Sequence, residues 1–187
     1  MTPVRVVRPR VSYADLQQAP EDGRRYELYD GEVFVVPAPI PRHQLAVQNL
    51  VDRFRSYQQL YGGLVLASPI DIVFSEFDVV QPDIVFFSRD RAQVVDPDRA
   101  IRDAPDLAVE VLSPSTAATD RGKKMQMLAR YGVPEYWLVD PLARTLEIYT
   151  LSADAYALEQ IASEDDIARS RILFELSFPA REIFGDW

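Results

Sequence analysis

The residues that decide the fold are Leu107-Ala108-Val109-Glu110-Val111-Leu112, a short run in which one carboxylate stands among apolar side chains. A continuous apolar run of this length predicts a strand that is covered on both faces of its sheet. An ionised carboxylate buried in such a strand is costly, so Glu110 must be neutralised, paired or bound to a cation. A buried salt bridge, or a glutamate at a sheet end near water, explains Glu110 as well as a functional role does.

A second acid opens another apolar run. Asp83 follows Pro82 and precedes Ile84-Val85-Phe86-Phe87, so we expect it at the start of a strand. A lone Pro-Asp pair is more typical of a turn. Side chains on neighbouring strands, however, can approach within roughly 5 Å. Two carboxylates that close raise each other's pKa unless a cation lies between them.

A helix is predicted over Asp120–Tyr131, after the strand that carries Glu110. On a helical wheel Lys124 shares a stripe with Leu128 and therefore faces the sheet. Lys123 shares its stripe with Asp120, on a face predicted to be mostly solvated. A lysine on a packing face either extends to water, which is common, or meets a buried acid. The position of Lys124 just after the Glu110 strand favours the second alternative.

The order of the other elements predicts an α/β or α+β protein built around a mixed sheet. Short β-branched and aromatic runs predict strands, and the longest apolar run at helical spacing predicts the main helix. The expected elements are a capped helix over Ser12–Gln18, a hairpin turning at Asp30-Gly31, a long helix from His43 to about Leu60, and strands at Leu64–Ala67, Ile70–Phe74, Tyr136–Val139, Leu146–Leu151, Tyr156–Ile161 and Arg171–Leu176.

Composition narrows the chemistry. The 187 residues include no cysteine and a single histidine, so thiolate and multi-histidine metal sites are excluded and oxygen ligands favour magnesium or manganese. The net charge of −9 counts against a protein that only binds nucleic acid, because such affinity comes largely from phosphate neutralisation. No apolar run approaches the roughly 20 residues that span a bilayer, and the N-terminus lacks a signal-peptide core, so we expect a cytoplasmic protein without membrane partners.

Together the three charged residues suggest hydrolysis of a phosphodiester. That reaction needs an oxygen-ligated cation to polarise the phosphate and lower the pKa of a water. It also needs a group that orients the water and stabilises charge in the transition state. Asp83 and Glu110 would supply metal oxygens, the Val111 carbonyl is a third candidate ligand, and Lys124 would face the attacking water.

The same residues belong to a longer pattern. Pro82-Asp83, then Glu110-x-Leu112, then a lysine on the next helix resembles the PD-(D/E)xK nuclease superfamily, with the lysine moved from its usual position, which is Leu112 here. The chain resembles one branch with this arrangement, the Uma-two family of restriction-endonuclease-like proteins. Leu128 departs from the tyrosine that is frequent in this family. The resemblance is carried by Tyr26-Glu27-Leu28, Asp30-Gly31-Glu32, His43, Pro82-Asp83, Pro105-Asp106-Leu107, the run from Val109 to Thr116, Asp120-x3-Lys124 and the run from Gly132 to Pro141.

The resemblance implies a single restriction-endonuclease-like domain over residues 1–187, with its core at about 43–151, an N-terminal helix and hairpin, magnesium (or manganese) dependence and a DNA substrate. It transfers catalytic roles to Asp83, Glu110 and Lys124. Glu27 either completes a second metal site, holds Lys124, or is a paired hairpin residue.

Three further residues are candidates for contact with substrate. His43 either touches substrate or bonds local backbone at the start of its helix, and Arg121 and Lys123 either touch phosphate or occupy a solvated helix end. A homodimer is expected by analogy with enzymes that cut both strands. Two alternatives remain beside a DNA endonuclease: a catalytically silent interaction domain on the same fold, and a nucleic-acid-binding protein without chemistry.

Overall fold

The computed structural model describes residues 9–19 and 22–185. Within these residues no helix is long and apolar enough to cross a bilayer. The elements in chain order are α1 (Tyr13–Gln17), β1 (Arg25–Tyr29), β2 (Glu32–Val36), α2 (Pro41–Tyr61), β3 (Leu64–Ala67), β4 (Ile72–Ser75), β5 (Asp78–Val80), β6 (Ile84–Phe87), β7 (Leu107–Val111), α3 (Ala117–Thr119), a π-helical turn (Asp120–Lys124), α4 (Met125–Arg130), β8 (Glu135–Asp140), β9 (Thr145–Ser152), β10 (Ala155–Ser163), β11 (Ile167–Arg169), β12 (Ser177–Pro179) and α5 (Arg181–Phe184). A 3-10 turn spans Ala92–Val94.

The centre of the fold is a six-stranded mixed sheet in the order β10-β9-β8-β7-β6-β3. Among the strands of this sheet that the structure describes, β7 and β8 are the pair that runs parallel, and the segment that crosses between them carries α3, the π-helical turn and α4. An antiparallel four-stranded sheet, β2-β1-β5-β4, lies beside it, and β11 pairs with β12. The predicted class, an α+β fold with a mixed sheet flanked by helices and preceded by a helix and hairpin, is confirmed.

Local sequence signals account for the N-terminal elements. The Ser12 hydroxyl accepts the Asp15 amide while the Asp15 carboxylate accepts the Ser12 amide, which is the capping box expected for α1. Asp30 and Gly31 have φ values of 52° and 79°, the left-handed conformations that a two-residue hairpin turn requires. The hairpin of β1 and β2 is therefore set by the Asp-Gly pair, as predicted.

The apolar core lies on both faces of the large sheet. Every residue of β7 is buried, in agreement with the prediction of a strand covered on both sides. On one face, α2 and the C-terminal segment pack through residues such as Phe54, Trp137 and Phe184. On the other face, the cluster around Leu128 and Tyr136 joins the sheet to α4 and the small sheet.

Two sequence expectations differ from the structure. The strand predicted at Arg171–Leu176 is wrong: the segment is a series of turns, because the Arg171 and Ile172 amides donate to the buried Glu135 carboxylate instead of to a neighbouring strand. The helix predicted over Asp120–Tyr131 is not uniform, since its first five residues form a π-helical turn. The three-residue strand β5 was not predicted, as it is shorter than the pattern that identifies strands.

Candidate active site

Strand register brings the two predicted acids together. β6 and β7 are antiparallel neighbours with Ile84 opposite Val109, so Asp83, one residue before Ile84, falls opposite Glu110, one residue after Val109. The Val111 amide donates to Asp83 Oδ2 at 2.8 Å, which ties the two strand ends together. Asp83 and Glu110 are only 7% and 4% exposed, so both carboxylates lie below the surface.

Lys124 reaches into the same place. Its Nζ lies 2.8 Å from Glu110 Oε1, 2.9 Å from Glu27 Oε1 and 3.5 Å from Asp120 Oδ1. The lysine is 3% exposed, so it meets buried acids rather than extending to water. One ammonium therefore stands among three carboxylates that come from a hairpin strand, a central sheet strand and the connecting helix.

Asp120 and Lys124 are four residues apart and share a face of the helical segment, while the π-helical turn moves Lys123 away from that face. A π-turn closes i to i+5, so it is wider than an α-turn and shifts the residues after it around the axis. Asp120 was predicted to lie with Lys123 on a solvated stripe; instead it is 2% exposed and lies beside Lys124, while the Lys123 side chain is 48% exposed. Tyr136 holds the turn in place by donating its hydroxyl to the Asp120 carbonyl.

Glu27 is engaged at both carboxylate oxygens. Oε1 accepts from the Gln81 amide at 2.8 Å and from Lys124, and Oε2 accepts from the Tyr29 hydroxyl at 2.7 Å. A carboxylate with these donors has little capacity left for a cation. Of the roles considered for Glu27, the geometry favours holding Lys124 over completing a second metal site.

His43, near the start of α2, contacts Asp83. Its Nε2 lies 3.1 Å from Asp83 Oδ2, and its Nδ1 is buried without a hydrogen-bond partner among the described residues. The bond from Nε2 fixes the imidazole against the acid. Because the Val111 amide and His43 both bind Oδ2, the other oxygen of Asp83, Oδ1, is the one left for a cation.

These side chains line a cleft of about 220 Å³. Its floor is acidic. One wall is the apolar run from Phe34 to Ile40, at the end of β2 and in the loop before α2, and the other is the hydroxyl-rich loop from Ser113 to Thr116. The predicted residues that this cleft brings together are Glu27, His43, Asp83, Glu110, Val111 and Lys124.

Two predicted substrate-contacting residues lie outside the lining of this cleft. Arg121 forms a bidentate pair with Glu147, at 2.6 and 2.7 Å, and Lys123 binds Glu32 at 2.7 Å. Lys123 lines a separate groove of about 680 Å³ between the hairpin and α4. A phosphate contact by either cation would have to replace a carboxylate.

Burial and mutual repulsion set the protonation of the site. Burial raises the pKa of Glu110 well above its ordinary value; Lys124 opposes this rise, and the neighbouring acids add to it. The pKa of Asp120 is raised for the same reasons. Burial alone would lower the pKa of Lys124, but Glu110 and Glu27 outweigh that effect and raise it well above the usual range. Lys124 is therefore an ammonium at neutral pH.

The residues fit a hard divalent cation. Four buried carboxylates (Glu27, Asp83, Glu110 and Asp120) share the cleft with Lys124, Arg25 and a single imidazole, which still leaves an excess of negative charge. Asp120 Oδ2 is a buried oxygen with no hydrogen-bond partner among the described residues. No group of three or more His, Asp or Glu side chains in the described part of the chain is arranged to enclose a metal. Magnesium is usually held by one or two carboxylates and several waters, which matches this donor set.

Asp120 is the site residue that the sequence argument did not assign. The sequence argument grouped it with Lys123, three residues away, and so placed it on the solvated face. Its spacing of four residues from Lys124 was the available signal, since residues four apart are neighbours on a helix. Gln81 and Tyr29 were missed too, and they act through the bonds that they donate to Glu27.

The architecture and the cleft define a class of protein, the nuclease-like α+β proteins with acidic residues at adjacent strand ends and a buried lysine. A crystal structure titled as a putative nuclease belonging to DUF820 from Anabaena variabilis superposes with a TM-score of 0.78 at 20% identity, covering 93% of this chain and 97% of that one. At this identity the likeness shows a shared fold. No protein with a curated description matches the chain.

The family model described as "Uma2: Putative restriction endonuclease" matches residues 13–181. The chain belongs to the Uma2 family. The resemblance noted from the sequence motifs is thereby confirmed.

Proposed function

We propose that this protein is a divalent-cation-dependent phosphodiesterase that acts as a DNA endonuclease. The observation that carries the proposal is the buried Lys124 ammonium, held at Glu110 opposite Asp83 on the floor of an open cleft. Membership of a family named for restriction endonucleases supports the same class of reaction. A buried ammonium among acids has a structural cost, because desolvation of each charge must be offset.

Magnesium or manganese is the cation that this donor set suits. Asp83, Glu110 and the Val111 carbonyl would hold it, with water completing the coordination. When bound, such a cation polarises the phosphate and lowers the pKa of a water molecule. The Val111 amide and His43 keep the Asp83 carboxylate aimed at the cleft through their bonds to Oδ2.

Lys124 acts as a charge rather than as a base in this proposal. Its pKa is raised, so it keeps its proton at neutral pH and cannot abstract one from water. A fixed ammonium in a water-poor site stabilises negative charge that develops on the phosphate and orients the attacking water by donating to it. Glu27 holds the ammonium in place from the hairpin side.

His43 remains a candidate for contact with substrate because it lines the cleft. Its Nδ1 is buried, so an entering phosphate would reach that atom only after the side chain moves. Arg121 and Lys123 remain candidates for phosphate contacts further along a substrate strand. The homodimer also remains a prediction, which light scattering of the purified protein would check.

Cleavage assays with magnesium or manganese on supercoiled plasmid and on circular single-stranded DNA test the proposal. The variant Asp83→Asn keeps the shape of the side chain and removes its charge, and Asp154→Ala, in the exposed turn between β9 and β10, is the matched control. We expect wild type and Asp154→Ala to cut, Asp83→Asn to be inactive, and EDTA to stop the reaction. Equal cutting by all three proteins would mark a contaminant, and no cutting on any substrate would favour the silent domain.

A further inference from the structure

The two walls of the cleft differ in chemistry. From Phe34 to Ile40 one wall presents Phe-Val-Val-Pro-Ala-Pro-Ile, seven residues without a polar side chain. Ile40 is 56% exposed, so this wall ends in open apolar surface and not in the core, whereas the exposed Val35 side chain lies on the face of β2 opposite to Phe34. The exposed apolar surface is continuous with the proposed reaction site.

A second part of the lining, the wall from Ser113 to Thr116, is polar. Ser113 Oγ lies 3.0 Å from the Ser115 hydroxyl and 2.9 Å from the Thr116 hydroxyl. Hydroxyls and loop amides are typical partners of phosphate and sugar oxygens. The cleft therefore has an apolar side and a hydroxyl side, with the carboxylates and Lys124 between them.

Cationic side chains are scarce in this cleft. Among its lining residues that the structure describes, the groups able to carry positive charge are Arg25, His43 and Lys124. Arg25 bonds to the Ser68 hydroxyl, His43 to Asp83, and Lys124 to Glu110 and Glu27. Proteins that grip duplex DNA through its backbone commonly neutralise about 6–10 phosphates. The cleft does not offer that number of cations.

An unpaired nucleic-acid strand matches a cleft with one apolar and one hydroxyl-bearing wall, and a duplex does not. In a duplex the base faces are stacked inside, so the groups on either side of the cleaved phosphate are further phosphates and sugars. An apolar wall offers these polar groups no hydrogen bonds. In an unpaired strand the base faces are free to stack on aromatic side chains, for which this wall offers Phe34, and the aliphatic residues beside it extend the apolar surface. The cleft volume of about 220 Å³ also admits a phosphate and its flanking groups rather than a helix.

We propose that the cleft takes an unpaired nucleic-acid strand, with base faces on the wall from Phe34 to Ile40 and the backbone on the wall from Ser113 to Thr116. The inference rests on the proposed phosphodiesterase function and specifies its substrate. Intact duplex is then a poor substrate, and cutting of duplex DNA is confined to looped, flapped or frayed segments.

One labelled oligonucleotide of mixed sequence tests this in three forms: as a single strand, as a perfect duplex, and as a duplex with a central unpaired loop. An oligoribonucleotide of the same sequence, run in parallel, reports which sugar is accepted. Cleavage is followed with manganese, and binding is followed by fluorescence anisotropy with calcium in its place. We expect the single strand and the loop to be cut, and the single strand to bind, at least about tenfold better than the duplex.

The variant Ile40→Ser addresses the apolar wall directly. It is expected to weaken binding of the single strand about threefold, because serine removes apolar surface against which a base would pack. Leu60→Ser is the matched control, because Leu60 is 77% exposed near the end of α2 and does not line the cleft. Equal loss of affinity in the control would overturn the role of the wall.

The outcomes separate this inference from the proposed function. Equal cutting and binding of duplex and single strand would overturn the inference and leave the phosphodiesterase intact. Binding that favours the single strand without any cleavage would overturn the phosphodiesterase and support the cleft as a single-strand site. Absence of both binding and cleavage would overturn both.

Discussion

Lys124 Nζ, in the crossover connection, lies 2.8 Å from Glu110 Oε1, on the strand that precedes that connection, and both side chains are almost fully buried. The pair does not stand alone, because Glu27 and Asp120 also face the ammonium. One positive charge is thus shared among more negative charge than it can neutralise. This imbalance makes the site responsive to metal, to pH and to substitution.

Loss of the ammonium should destabilise the protein. Lys124→Met leaves Glu110 and Glu27 buried without their cation, and breaking a buried pair by removing one partner costs about 3–5 kcal/mol. The double variant Lys124→Met/Glu110→Gln should recover part of this loss, since it removes one uncompensated charge. Urea denaturation of the three proteins without metal measures the free energies of unfolding. A double variant no more stable than Lys124→Met would contradict the pairing.

Manganese should bind more tightly as pH rises. Burial raises the pKa of Glu110, so below that pKa the carboxyl is protonated and cannot bind a cation. Calorimetric titration at about pH 6 and about pH 8 should give the weaker affinity at the lower pH. The measured binding enthalpy should also change with the buffer, because the protons that metal binding releases are taken up by it. Glu110→Gln should bind poorly at both values. A pH-independent affinity in the wild-type protein would remove Glu110 from the ligands.

The same shift predicts how stability without metal depends on pH. A raised folded-state pKa means that the folded protein binds more protons than the unfolded chain. The contribution of Glu110 is therefore present below its unfolded pKa and is lost as pH rises through its folded pKa. Thermal melts across this range should show a smaller decline with rising pH in Glu110→Gln than in wild type. An identical pH dependence in both proteins would show that Glu110 is not the group responsible.

Glu27→Gln should separate catalysis from metal binding. The substitution keeps an oxygen for the Gln81 amide but removes the charge that holds Lys124. Substitution of a residue that orients the groups of a metal site typically lowers activity or metal affinity by about 10- to 100-fold. We expect kcat to fall by that factor while the manganese dissociation constant stays close to the wild-type value. A parallel loss of manganese affinity would instead make Glu27 a ligand.

Glu135 offers a test of the fold away from the cleft. This carboxylate is fully buried and accepts from the Trp137 indole and from the Arg171 and Ile172 amides. Glu135→Ala leaves these donors unpaired and should cost about 3 kcal/mol, at the upper end of the range for a lost buried partner. The midpoint of chemical denaturation measures the effect, while the residual folded protein should keep the cleavage activity proposed for the wild type. Wild-type stability would show that water replaces the carboxylate.

Much of the architecture was predictable because its signals are local. The Asp30-Gly31 turn, the capping box of Ser12 and Asp15, and the apolar runs of β6 and β7 each specify their element within a few residues. The pairing of Asp83 with Glu110 followed from the expectation that these two strands are neighbours, and the register confirms that expectation.

The errors came from contacts that no local pattern contains. The segment after Ser170 has enough apolar residues to suggest a strand, but its amides are taken by Glu135, some 36 residues earlier in the chain. Asp120 was misplaced because it was grouped with Lys123. The π-helical turn, whose start no pattern in a single sequence marks, separates the two residues and leaves Asp120 buried and Lys123 exposed. The role of Glu27 depended on three donors from separate segments.

The hairpin carries a mechanical consequence. Glu27 and Phe34 are direct cross-strand partners, so the residue that anchors Lys124 and the first residue of the apolar wall are joined through one rung of a β-ladder. The Lys123 ammonium, next to Lys124 in the chain, lies 4.3 Å from the centroid of the Phe34 ring. An entering molecule that displaces Phe34 is therefore expected to shift Glu27 as well, and with it the position of the Lys124 ammonium.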